Sequence, residues 1–298
     1  MNQVKIDHLK TESRNPRTTN LDTMSALELL QIMNEEDQRT VLAVRAALPQ
    51  IEKAVQTIIQ SLKQQGRLIY IGAGTSGRLG ILDAVECVPT FSTEDEVLGV
   101  IAGGEKAFVR AVEGAEDSEE LAANDLAALN VGENDVVTAI AASGRTPYAI
   151  GALKYAKKVN AKCIGISCNK DALLSQYADV AIEADAGPEV LTGSTRLKAG
   201  TCQKLILNML STASMVGIGK VYGNLMVDMK ATNQKLVERA KRIVMESTGC
   251  DYDTAARTLE ASGYSSKTAI VMILTGISRE EAEARITEQQ GFIRKCIE

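Results

Sequence analysis

A chain of 298 residues with 45% hydrophobic and 24% charged residues has the composition of a globular protein with ample length for a buried core. A net charge of -5, aromatics at 3% and the lack of any basic block argue against nucleic acid as the main partner. One histidine excludes a metal site built on a histidine cluster, and the six cysteines form no C-x-x-C pair, so they read as buried or incidental thiols in a reducing compartment.

The first residues, Met1 to Lys10, are polar and mixed in charge, which gives no secretory signal, and the sole histidine, His8, lies among them. Residues 1–24 read as an extended arm rich in turn formers. Ser25 then caps a helix whose capping-box acid is Glu28, and a second helical stretch runs from about Val41 to Lys63. From Arg67 to about Lys220 strands and helices alternate. The strands are Leu68–Ile71, Val97–Ala102, Val136–Ala141, Lys162–Ser167 and Val180–Ile182, apolar on both faces as in a covered parallel sheet. The helices between them fit Arg78–Glu86, Lys106–Val112, Ser118–Leu129 and Pro147–Val159, followed by a long helix from Leu197 to about Val216. After Asn224 the chain turns helical again, with three short helices opening near Asp251, Ser265 and Ser278. The pattern predicts three parts: an N-terminal arm and helices over 1–55, one doubly wound αβα domain over 56–220, and a small helical bundle over 221–298. The longest late apolar run, Thr268–Thr275, is too short to span a bilayer. A cytoplasmic protein with no membrane contact is the expectation.

Two strand-to-loop junctions carry most of the chemistry. Gly72-Ala-Gly-Thr-Ser-Gly-Arg78 and Ala142-Ser-Gly-Arg-Thr-Pro147 each break an apolar strand into glycine, hydroxyl side chains and an arginine, and then open a helix. Such a place suits an anion, because glycine lets the backbone approach while hydroxyls and helix N–H groups donate. The first junction matches G-x-G-x-x-G, yet the next strand ends in glycines where a dinucleotide site needs an acid. Its Thr75 and Ser76, with Gly77 and Arg78, suit a terminal phosphate better, as do Ser143, Gly144, Arg145 and Thr146. A third hydroxyl run, Ser194-Thr195, opens the long helix. With histidine so scarce, proton chemistry falls to other groups, and Glu86, Glu116 and, more weakly, Glu189 are the carboxylates of interest. Read bare, each is better explained as an ordinary solvated or capping glutamate.

The segments Gly72–Glu86, Val112–Ser118, Ala142–Pro147 and Gly187–Lys198 resemble the N-acetylmuramic acid 6-phosphate etherases of the sugar isomerase (SIS) superfamily. The likeness runs nearly end to end, including Thr11–Asn15 and Asn224–Asp228. It implies a three-layer αβα SIS domain with a five-stranded parallel sheet and helical extensions, and usually a homodimer. It implies a sugar-phosphate substrate with a D-lactyl ether on carbon 3, and neither metal nor cofactor. The family's catalytic glutamates match Glu86, the proposed proton donor, and Glu116. Such a donor keeps its proton near neutrality if burial raises its pKa. Two rivals stand beside this reading: an aldose–ketose isomerase of the same superfamily, and a non-enzymatic sensor similar to glucokinase regulatory protein.

Overall fold

Five strands, β1 (Leu68–Gly72), β2 (Val97–Ile101), β3 (Val136–Ile140), β4 (Lys162–Ser167) and β5 (Val180–Glu183), pair in parallel in the order β2-β1-β3-β4-β5. The computed structural model describes residues 9–110, 112–231 and 233–298, so His8 lies outside the described residues. Every residue of β1 and β3 is buried, whereas the edge strands β2 and β5 are partly open. The central strands therefore need helices on both faces, which is why their sequences lack polar alternation.

One face carries Ile69, Ile71, Val137 and Ala139. It is covered by α4 (Glu119–Ala128) and α5 (Pro147–Lys158), which bury Leu126 and Leu153 against it. The other face carries Tyr70 and Ile140. Gly80 of α2 (Gly74–Phe91) lies so close to both that a Cβ there would meet Tyr70 Cβ at 2.9 Å. Next to α2 lies α6 (Lys198–Gly217), joined by the ion pair of Lys204 Nζ with Asp83 Oδ1 at 2.9 Å. Beside α6 lies α1 (Ala26–Lys63), whose Thr40 carbonyl accepts from the Cys202 thiol. The three layers are as expected. Each large apolar side chain sealed in the sheet adds about 1.5–3 kcal/mol.

The chain leaves β1 for β2 by way of α2, then crosses back through α3 (Glu105–Val109) and α4 to β3. The helices after β1 and β3 thus leave on opposite faces. This topological switch opens a crevice at the carboxyl ends of those two strands.

In the part that carries the sheet, two features differ from the sequence expectation. The first helical region is one helix of 38 residues, capped by the Ser25–Glu28 box, and not two stretches. The gap in apolar spacing across Asn34–Thr40 arises because buried Glu36 and Thr40 take the inward positions one turn apart. Second, α2 begins at Gly74, four residues ahead of the expected Arg78, and absorbs the hydroxyl loop into its first turn.

The described residues divide into two compact units. The first contains the sheet and runs to Ala84 and over Glu96–Ser211; the second comprises Val85–Asp95 and Thr212–Glu298. In the second, α7 (Gln234–Thr248), α8 (Tyr252–Ala261), α9 (Ser266–Thr275), α10 (Arg279–Glu288) and α11 (Ile293–Ile297) enclose Val244, Leu259, Ile270 and Ala282. Asp251, Ser265 and Ser278 cap α8, α9 and α10 as expected, and Asn233 caps α7, which sequence left undivided. Buried Lys267 on α9 donates to Asp228 Oδ2 at 2.7 Å and to the Gly219 carbonyl at 2.9 Å, fixing the Asn224–Asp228 segment. Among the described residues no helix is long and apolar enough to cross a membrane.

Candidate active site

The crevice at the β1/β3 switch is a cleft of about 720 Å³. Gly74, Thr75 and Ser76, the first turn of α2, form one wall, and Ser143, Arg145 and Thr146, ahead of α5, form another. Thr195, from the turn before α6, contributes as well. A helix's first N–H groups lack intrahelical partners, so the start of α2 turns bare donors toward the cleft.

Packing fixes both walls. A Cβ on Gly77 would stand 2.5 Å from the Gly72 carbonyl oxygen and 2.7 Å from Ile101 Cγ1, so only glycine lets α2 begin this close to the sheet. Gly144 adopts φ +68, in the left-handed region, and its carbonyl accepts from Leu174 N at 2.8 Å. These two glycines shape the cradle from behind; neither lines the cleft.

The hydroxyls face it with protons to give. The side-chain hydroxyls of Thr75, Thr146 and Thr195 have no hydrogen-bond partner among the described residues. Ser143 Oγ accepts from Arg145 N at 3.2 Å, which leaves its own O–H free to donate. Ser76 is the exception: its hydroxyl donates to Gln203 Oε1 at 3.0 Å, while the buried Gln203 Nε2 has no partner among the described residues. An amide's two ends are assigned from such networks. Turned over, Gln203 would donate to Ser76 Oγ and release the serine's proton to the cleft.

The remaining expected residues have other placements. Arg78 donates through Nε to the Phe108 carbonyl at 2.9 Å and through Nη2 to that of Ala107 at 2.7 Å. It lines a hollow of about 180 Å³ that shares Gly74 and Glu116 with the main cleft. Ser194 is half-buried and outside the cleft lining. Glu189 is 1% exposed, and its carboxylate accepts from Lys198 N and Ala199 N, both at 2.9 Å. It caps the start of α6, and burial pushes its carboxyl up against the pull of those two amides.

Glu116 belongs to the turn Ala115–Asp117, lines the cleft, and has no partner among the described residues. Glu86 is exposed near the end of α2 and does not line the cleft, so its own helix does not supply the burial that a proton donor needs. Sequence reasoning missed Glu12 and Leu9, which reach the cleft from the N-terminal arm. Nothing in the arm's polar composition signals this. Among the described residues no group of three or more His, Cys, Asp or Glu is arranged to hold a metal.

Comparison with known proteins agrees with this fold. Residues 50–157 match the glucokinase regulatory protein N-terminal SIS domain, and residues 111–213 match the SIS domain. A phosphoheptose isomerase from Francisella tularensis shares the fold, with a TM-score of 0.52 and 20% identity over 65% of this chain and 100% of that one. The switch-point cleft on a five-stranded parallel sheet is thus that of a SIS-domain protein. N-acetylmuramic acid 6-phosphate etherases from Bacillus cereus and Shouchella clausii are 59% and 61% identical, each over 98% of this chain and 100% and 99% of their own lengths. The chain belongs to the N-acetylmuramic acid 6-phosphate etherase family.

Proposed function

We propose that this protein is a carbon–oxygen lyase that removes D-lactate from N-acetylmuramic acid 6-phosphate, yielding N-acetylglucosamine 6-phosphate, in amino sugar recycling or catabolism in the cytoplasm. The observation that carries the site reading is the Glu116 carboxylate in the same cleft as the hydroxyls of Thr75, Thr146 and Thr195, none of them paired among the described residues. The hydroxyls, with Ser143 and the first turn of α2, hold the phosphate. In the open-chain sugar the carbonyl acidifies the proton on carbon 2, and Glu116 removes it. The bond from carbon 3 to the lactyl oxygen breaks, and that oxygen takes a proton from Glu86. Water then adds at carbon 3 and a proton returns to carbon 2. Each positioned acid or base contributes on the order of 10²–10⁴-fold.

Glu86 acts, in this reading, from a second copy of the chain. α2 joins β1 to a parallel neighbour, so it must run back toward the amino ends of the strands. Twelve residues separate Gly74 from Glu86, about 18 Å of helix leading away from the cleft. A homodimer that sets one copy's Glu86 at its partner's cleft restores the pair and supplies the missing burial. Preparations of Glu86→Gln and Glu116→Gln, each inactive alone, test this when mixed under subunit exchange. Random pairing makes half the dimers hybrid, each with one complete cleft, so about a quarter of wild-type lactate release returns. Exchange verified by native mass with no return of activity would contradict the shared site.

A further inference from the structure

The arm that brings Glu12 to the cleft is fastened with unusual care. Asn169, just after β4, accepts from Lys10 N at 2.7 Å, and its Nδ2 donates to Thr11 Oγ1 at 3.0 Å and to the Ala142 carbonyl at 3.1 Å. One side chain thus ties the arm to the loop that carries Ser143. Further on, Thr18 Oγ1 donates to the Val190 carbonyl at 2.8 Å, and Asn15 Nδ2 donates to Glu36 Oε2 at 3.0 Å. Thr11, Asn15 and Thr18 are all buried. Ordering an N-terminal arm carries an entropic cost, and these long-range bonds offset it.

What they hold in place is a carboxylate with no partner among the described residues. Glu12 is half-buried in the cleft wall, and its Oε2 lies 3.6 Å from where a Cβ on Gly193 would stand. None of the described residues pairs with it. An ionised carboxylate only accepts hydrogen bonds, and it repels phosphate. Its complement in a sugar-phosphate cleft is therefore a donor on the sugar itself.

We propose that Glu12 accepts a hydrogen bond from an N–H or O–H group of the bound sugar, and so orients the ring once the hydroxyl cradle has taken the phosphate. This rests on the sugar-phosphate reading of the cleft, and not on the lyase chemistry. Like charge turns the phosphate away from Glu12, so the sugar has one way round in which both ends are satisfied.

Calorimetry on the full chain tests it with three ligands: N-acetylglucosamine 6-phosphate, 2-deoxyglucose 6-phosphate and inorganic phosphate. Glu12→Ala is expected to weaken N-acetylglucosamine 6-phosphate by about tenfold, as loss of one hydrogen bond to a charged acceptor should. Inorganic phosphate should bind as well as before, or more tightly, because a like charge is gone. Glu12→Gln, which keeps an acceptor, should fall between wild type and alanine. If 2-deoxyglucose 6-phosphate is spared, the donor is the acetamido N–H; if it weakens alike, the donor is a ring hydroxyl. An unchanged affinity for N-acetylglucosamine 6-phosphate overturns the proposal. Equal weakening of the sugar phosphate and of phosphate also overturns it, because that is what a purely structural arm would give. The test needs no turnover. A wild type that releases no lactate but still shows the Glu12 discrimination would defeat the lyase reading alone, whereas one that does not bind the sugar phosphate would defeat both.

Discussion

Glu116 and Glu86 are chemically one residue type in two unlike settings. Glu116 sits on a short turn at the cleft with its carboxylate unengaged among the described residues, a good position for taking a proton. Glu86 stands on the exposed side of α2. The two roles can be separated in heavy water. Glu86→Gln is expected to lose most lactate release, by about 10²–10⁴-fold, and still exchange deuterium into carbon 2 of recovered substrate. Glu116→Gln should lose both. Free exchange by Glu116→Gln with none by Glu86→Gln would reverse the assignment. The cleft hydroxyls were legible in sequence because Thr75 and Ser143 directly follow strands, where an open sheet places its ligand. Glu12 was not legible. Its position depends on Asn169, more than 150 residues away, and on bonds to backbone atoms that no local pattern announces.

Between elements, the telling contact is the buried pair of Glu36 on α1 with Lys198 at the start of α6. The Lys198 ammonium lies 2.7 Å from Glu36 Oε2, with the side chains 1% and 0% exposed, and Arg17 Nη1 reaches Glu36 Oε1 at 2.8 Å. Burial pushes the Glu36 carboxyl up, but hydrogen bonds from Lys198 and Arg17 outweigh it and hold it below the usual range. Lys198→Met leaves that carboxylate buried and short of its nearest cation. We expect destabilisation of about 3–5 kcal/mol by chemical denaturation, largely recovered when Glu36→Gln is added. A loss under about 1 kcal/mol would show that the pair is not needed. The same contact explains why sequence divided α1: charged and polar residues at inward positions look like a break until their partner on α6 is known. Elements with apolar periodicity or a clear cap, from β1 to α6 and from α8 to α10, were readable, whereas α7 was not separated from the segment before it despite its Asn233 cap. α11 was missed because five residues are too few to show a period.

At the scale of the molecule, a parallel sheet follows from strand–helix alternation, but the switch point made by crossing back from β2 to β3 does not, since strand order depends on long-range pairing. That order places the two hydroxyl loops at one crevice, and it carries α2 away from it, which is why the account requires a second copy to bring Glu86. The chemistry proposed for the cleft is elimination of lactate from the sugar followed by hydration of carbon 3. The most direct test is to incubate the protein with N-acetylmuramic acid 6-phosphate in oxygen-18 water and analyse both products by mass spectrometry. Elimination and hydration should give unlabelled lactate, and N-acetylglucosamine 6-phosphate carrying the label on its carbon 3 hydroxyl. Label in the lactate, or no lactate at all as an isomerase or a sensor would give, would contradict that chemistry.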